Sequence, residues 1–184
     1  MYPAIFLDRD GVIIENRLNY VLRWEDVDIF PQALQALARI RFCSYKIIIV
    51  TNQSAIGRGL ITLEAAWEIN NRLLCEVQKA GGRIDRIFMC PHTPDDHCSC
   101  RKPQPGLILK AARDLHLDLN HSIIIGDTLN DLAAGEAAGL QSTILVQTGL
   151  GATQLALPEA KTLRPFKVYA TLAEALAAFV GNIG

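Results

Sequence analysis

Apolar runs rich in Ile and Val recur along the chain at residues 3–7, 45–50, 84–89, 121–126 and 142–147. They lack the polar alternation of a half-exposed strand, so they read as parallel strands buried on both faces. Between them, segments 31–42, 62–80, 105–116 and 129–138 read as helices, with Pro31 and Pro105 suited to first turns and Thr62 and Asn130 to caps. A last strand near 166–169 and a helix over 171–180 close the series. Strands and helices in alternation specify an α/β fold with a doubly wound, mostly parallel sheet, whose ligands belong outside the carboxyl ends of the strands. No repeat, low-complexity segment or linker interrupts the pattern, and residues 1–184 are expected to form one domain large enough for a genuine core.

Charge narrows the function classes. The 18 basic and 19 acidic residues are spread along the sequence and leave a net charge of −1, so no electrostatic footprint for nucleic acid is present. The N-terminus has no basic region followed by an extended apolar run, and no stretch approaches the ~20 apolar residues that span a bilayer. The expectation is a cytosolic protein with neither nucleic-acid nor membrane partners.

Acids and small polar residues stand at the ends of the apolar runs. Asp8-Arg9-Asp10-Gly11-Val12 directly follows Ala4-Ile5-Phe6-Leu7. Two carboxylates two residues apart at the end of a buried strand concentrate negative charge that a bound cation makes tolerable, as in magnesium-dependent phosphoryl transfer. Alone, the pentapeptide reads equally well as a loop with two acids and a glycine turn. Three further segments change the balance: Thr51-Asn52-Gln53-Ser54 after Ile47–Val50, then Arg101-Lys102-Pro103, then Gly126-Asp127 with Asp131 after Ile123–Ile125.

In this order the four segments resemble the motifs of the haloacid dehalogenase (HAD) phosphatases, over about Ile5 to Gly149. A carboxylate is already ionised at neutral pH, so Asp8 is the expected nucleophile, forming an aspartyl-phosphate. Asp10, two residues on, is the expected general acid and base. The resemblance implies magnesium held by the Asp8 carboxylate, the Asp10 backbone carbonyl and the Asp127 carboxylate, with water completing an octahedron. Thr51 and Lys102 match the family's phosphate-stabilising positions. Asp131 reads either as an orienting acid acting through Lys102 or as a helix N-terminal acid favoured by the dipole. Most HAD enzymes carry Thr after the Asp-Gly of the first motif, whereas this chain has Val12.

A second cluster, Cys90-Pro91-His92 and Cys98-Ser99-Cys100, offers three thiolates and one imidazole for a tetrahedral ion, and zinc is its natural occupant. The other readings are a redox-active thiol group or a chance accumulation. His97 breaks the paired spacing and is not taken as the imidazole ligand; Cys43 and Cys75, single and read as helical, are assigned no chemistry. With four protein ligands the zinc is structural. Only 42 residues separate Asp8 from Thr51 and 50 separate Thr51 from Lys102, all consumed by the elements above. The fold is therefore expected to be capless, its site walled by loops, among them the zinc loop at 90–100.

Within the HAD phosphatases, Asp8-Arg9-Asp10-Gly11, the segment 51–59, the Cys/His pairs and Arg101-Lys102-Pro103 resemble the branch containing the D-glycero-D-manno-heptose 1,7-bisphosphate 7-phosphatases and the histidinol-phosphate phosphatases. The resemblance implies a pocket lined by Asn16, Arg17, Leu18, Asn19, Thr51, Asn52, Gln53 and Ser54, with Arg101 gripping the second phosphate of a bisphosphate sugar. The branch commonly shows Gly where this chain has Ala55, and Ala where it has Gly57. The expected protein is a monomeric sugar-phosphate phosphatase acting on heptose bisphosphate, with histidinol phosphate the nearest alternative substrate. A non-catalytic, zinc-stabilised binding module is the alternative of another class, weakened because every charged motif position is filled.

Overall fold

A computed structural model describes residues 1–180. Its six strands are all parallel: β1 (Ala4–Leu7), β2 (Lys46–Asn52), β3 (Arg86–Cys90), β4 (Ile123–Gly126), β5 (Ser142–Val146) and β6 (Lys167–Tyr169), in the spatial order β3-β2-β1-β4-β5-β6. Ile5 lies opposite Ile47 on one side and Ile123 on the other. The strand order reverses direction between β1 and β4, which opens a crevice at their carboxyl ends, the usual ligand position of such sheets.

Successive strand residues point to opposite faces, and both faces are apolar. Ile5, Leu7, Ile47, Ile49, Ile123 and Ile125 pack against α1 (Pro31–Arg39), α3 (Leu63–Lys79) and α7 (Leu172–Val180). Ala4, Phe6, Ile48, Val50 and Ile124 face the other way, onto α4 (Gly106–Leu115) and α5 (Leu129–Ala137). This two-sided burial is why the strands carry no polar alternation. No described helix is long and apolar enough to cross a membrane.

The structure adds what short-range patterns miss. Two brief helices, α2 (Ser54–Gly57) and α6 (Gly151–Leu155), follow β2 and β5. α1 ends at Arg39, so Cys43 lies in the turn before β2 and not in a helix, and Cys75 on α3 is exposed and does not fill a core position. Thr62 caps α3 as expected, accepting from the Ala65 N–H at 3.2 Å. Asn130 is not a cap: Thr128 takes that place in α5, in a reciprocal capping box with Asp131. Pro105 precedes α4 as its N-cap residue. The β1–β2 and β2–β3 connections hold α1, α2, α3 and loops, and no inserted layer stands over the crevice.

Candidate active site

β1 extends its pairing by one residue, since the Asp8 N–H donates to the Ile125 carbonyl at 3.0 Å. This sets Asp8 beside Asp127, which follows β4. The ligating oxygens of Asp8, Asp127 and Asp131 all lie within 4.8 Å of one another, and Asp127 and Asp131 are fully buried. Burial, above all, pushes Asp8 up to about 7 against the pull of Lys102, with Asp131 and Asp10 adding to the rise. Burial, then Asp8 and Asp131, push Asp127 up to about 8. Asp127 Oδ2 accepts from the Leu150 N–H at 2.8 Å, while its buried Oδ1 has no partner.

Two glycines make this crowding possible. Gly11 (φ +78°) and Gly149 (φ +58°) press against Asp127, and a Cβ at either would stand 2.0 Å or 2.3 Å from its Oδ2. Thr148 Oγ1 donates to the Gly11 carbonyl at 2.6 Å and ties the two loops together. Three clustered acids, one with an orphaned buried oxygen, form an oxygen-only donor set that fits magnesium.

Lys102 is the internal counter-charge. It is 2 % exposed, and its Nζ donates to Asp131 Oδ1 at 2.5 Å and the Val50 carbonyl at 2.8 Å and is ion-paired with Asp8 Oδ1 at 2.9 Å. Burial opposes its charge, but Asp131 and Asp8 more than offset this and push the ammonium pKa up. Of the three donors of an ammonium, two are engaged, by Asp131 and Val50. Asn52 fixes the Lys102 backbone from both sides, donating to its carbonyl at 3.0 Å and accepting from its N–H at 3.1 Å. Asp131 fills both roles open to it: it holds Lys102, and its Oδ2 accepts from the Thr128 N–H at 3.0 Å and hydroxyl at 2.6 Å.

Asp10 faces the same crevice within a network the sequence did not announce. Its Oδ2 accepts from Arg9 Nε at 3.0 Å and Gln53 Nε2 at 2.9 Å, and its Oδ1 from Arg9 Nη2 at 3.2 Å. Gln53 Nε2 also donates to Thr51 Oγ1 at 2.8 Å. The Thr51 hydroxyl therefore accepts from Gln53 and keeps its own proton for an incoming oxygen.

The second cluster lies between β3 and α4. Cys100 Sγ is 3.2 Å from Cys90 Sγ, 3.4 Å from Cys98 Sγ and 3.3 Å from His92 Nδ1; Cys90 Sγ is 3.5 Å from His92 Nδ1 and 3.7 Å from Cys98 Sγ. Zinc–sulfur bonds of about 2.3 Å in a tetrahedron place ligand atoms roughly 3.8 Å apart, so these distances fit a zinc-sized ion with slight closure. Burial opposes ionisation of Cys98, but the Arg101 N–H on its sulfur leads the groups that draw the thiol down to about 7. His97 lies outside the cluster, exposed in the left-handed region at φ 46°.

A family model described as HAD-hydrolase-like matches residues 99–175. Over 158 residues, 84% of this chain and 88% of the other, the chain is 40% identical to a D-glycero-beta-D-manno-heptose-1,7-bisphosphate 7-phosphatase of Bordetella bronchiseptica. The chain belongs to this family of HAD phosphatases. A D-glycero-alpha-D-manno-heptose-1,7-bisphosphate 7-phosphatase of Photorhabdus laumondii is 38% identical over 151 residues, covering 78% of this chain and 82% of that one. The crystal structure of the B. bronchiseptica D,D-heptose 1,7-bisphosphate phosphatase with magnesium and phosphate superposes with a TM-score of 0.88 at 36% identity, covering 98% of this chain and 99% of that chain.

In this HAD phosphatase, Asp8, Asp10, Asn16, Arg17, Asn52, Gln53, Arg101, Lys102 and Asp127 line one cleft of about 270 Å³. Thr51 is buried at its base through Gln53. Tyr20, Val21, Thr128, Asn130 and Leu150 complete the wall and carried no motif signal. Asn19 lines a neighbouring hollow with Leu18 and not the cleft, and Ser54 is buried as the first residue of α2. Val12, at the position where most HAD enzymes carry Thr, is 1% exposed and packs into the core. Gly57 sits against the Cys/His loop: its N–H donates to the Pro91 carbonyl at 2.8 Å, and a Cβ there would lie 2.8 Å from the same oxygen.

Proposed function

We propose that the chain removes the 7-phosphate of D-glycero-D-manno-heptose 1,7-bisphosphate, a step toward lipopolysaccharide or a related glycan. The observation that carries this reading is the position of Arg101. It lines the same cleft as Asp8 and Asp10, and its Nη1 is pinned to the His92 carbonyl at 3.1 Å. A guanidinium held on the wall of the nucleophile's cleft suits a substrate with a second, uncleaved phosphate.

Asp8 attacks phosphorus; the bond to the sugar oxygen breaks as Asp10 supplies that oxygen with a proton. Water then attacks the aspartyl-phosphate, Asp10 takes its proton, and phosphate leaves with Asp8 restored. Thr51 donates its free hydroxyl proton to a phosphoryl oxygen. Lys102, hydrogen-bonded to Asp131 and Val50 and ion-paired with Asp8, orients the nucleophile and contributes positive charge. Magnesium would be held by the Asp8 and Asp127 carboxylates and the Asp10 carbonyl, and when bound it neutralises charge on the phosphoryl oxygens. Zinc would be held by Cys90, His92, Cys98 and Cys100 as a structural ion that stiffens the wall carrying Arg101. Thiolates of this kind persist in a reducing cytosol, the proposed location.

The test is a phosphate-release panel of heptose bisphosphate, fructose bisphosphate and histidinol phosphate. The highest kcat/KM should fall on heptose bisphosphate. A preference for histidinol phosphate would overturn the substrate assignment and leave the reaction class standing.

A further inference from the structure

Arg9 is the largest side chain withdrawn from solvent, at 1% exposure, although it lies between two acids of the first motif. A buried guanidinium is costly unless its donors are met. Two of its nitrogens fork onto Asp10, and the third, Nη1, donates to Asn70 Oδ1 at 2.7 Å. Asn70 is itself fully buried on α3, and its amide nitrogen donates to Met89 Sδ at 3.6 Å. The carboxylate of Asp10 is thereby tied to a helix that contributes no other group to the acid cluster. The two oxygens of Asp10 are not equivalent. Oδ2 accepts from both Arg9 and Gln53, whereas Oδ1 accepts from Arg9 alone and keeps a lone pair uncommitted.

We propose that Arg9, anchored by Asn70, is the positioning residue of the proton-transfer step, and that it presents Oδ1 of Asp10 as the oxygen that gives and takes the proton. This rests on the reading of Asp10 as general acid and base. As the Asp8–phosphorus bond forms and the phosphorus–sugar oxygen bond breaks, the proton passes from Oδ1 to the departing oxygen. When water attacks and the Asp8–phosphorus bond breaks, the water's proton returns to Oδ1. The guanidinium keeps its protons throughout, and its work is geometric, in keeping with how steeply proton transfer depends on alignment.

A merely structural pin would slow every substrate alike; a positioning role would not. A sugar alkoxide needs a proton to leave, whereas the nitrophenolate of p-nitrophenyl phosphate leaves without one. Asn70→Leu removes the anchor at nearly constant volume, and Arg9→Lys keeps the charge but not the fork. Each should lose at least about ten-fold more kcat/KM on heptose bisphosphate than on p-nitrophenyl phosphate. Asp10→Asn, measured beside them, should show the same selectivity in stronger form. If Asp10→Asn is selective and the two variants lose both substrates equally, or both variants fail to fold, the positioning role is overturned while the acid–base reading stands. If Asp10→Asn shows no selectivity, both fall.

Discussion

At Asp8 and Asp127 the fold holds two carboxylates where burial, with repulsion from neighbouring acids, favours the protonated form, up to about 7 and about 8. In metal-stripped protein the folded state therefore binds more protons than the unfolded one between the ordinary carboxylate pKa and these raised values. Stability of the apo protein falls as pH rises through that window, because the unfolded chain gives up its protons more easily. The proposed magnesium would relieve the repulsion. Its addition should raise Tm by at least about 3 °C at pH 8 and by less at pH 5.5; a magnesium effect larger at the lower pH would contradict this electrostatic account. Asp8→Asn removes one of the repelling charges along with the nucleophile. It should leave a folded, zinc-loaded protein with no measurable turnover, and near wild-type phosphate release would refute the mechanism. Arg101→Ala should weaken bisphosphates more than monophosphates by about ten-fold to over a hundred-fold in kcat/KM, the worth of a lost charge-assisted contact; equal losses would argue against a second-phosphate role. Asp8, Asp10, Thr51, Lys102 and Asp127 were legible in the sequence because each stands at a strand end or in a motif with its own spacing. Arg9 was not, because its burial depends on Asn70, 61 positions away, and no local pattern encodes that contact.

Among the elements, the Cys/His loop at 90–100 braces the cleft wall without itself lining the cleft. Gly57 N–H bonds to Pro91 O at 2.8 Å, Gly106 N–H to Ser99 O at 3.1 Å and Arg101 to His92 O at 3.1 Å, so α2, α4 and the proposed substrate arginine all hang on this one loop. A Cβ at Gly106 would lie 2.2 Å from the Ser99 carbonyl, so the loop rests directly on the start of α4. The two proposed metals should separate cleanly. Brief EDTA treatment should abolish activity through loss of magnesium, with full recovery on adding magnesium back, while about one zinc per chain stays bound to the thiolates. Cys100→Ser should lose that zinc and raise KM for bisphosphates more than it lowers kcat. Zinc-free wild-type protein from careful preparation would remove the ion from the account. The main strands and longer helices were legible because their apolar patterns run for several residues. Helices α2 and α6, of four and five residues, are too short to show a helical period. The cap of α5 could have been found: Thr128 and Asp131 have capping-box spacing, and Asn130, chosen for its residue type alone, lies two positions past the cap.

For the molecule as a whole, the arrangement of the site makes cooperativity a functional matter. The acid cluster draws on the ends of β1 and β4 and the first turn of α5, its counter-charge Lys102 on the loop before α4, and Thr51 on β2, so no single connection contains the site. Asp8 reaches β4 through its backbone bond to Ile125, and Lys102 reaches β2 through the Val50 carbonyl. Both apolar layers must therefore be packed for the cleft to have its shape. Ile124 tests this from the side away from α1 and α3. It is fully buried, and the space over it is so closely filled that a Cβ on Gly135 of α5 would lie 2.5 Å from its Cγ2. Truncation leaves a cavity that close packing cannot easily collapse, so Ile124→Ala should cost about 2–5 kcal/mol and lower Tm by roughly 5–15 °C. If the chain is one domain and a monomer, as we propose, calorimetry should show a single transition, independent of protein concentration, for wild type and variant alike. Activity at low temperature should survive in the variant and vanish at its own, lower midpoint, because the cleft cannot outlast either layer. Two separable transitions, with phosphatase activity following only one of them, would show that the layers on the two faces of the sheet fold independently.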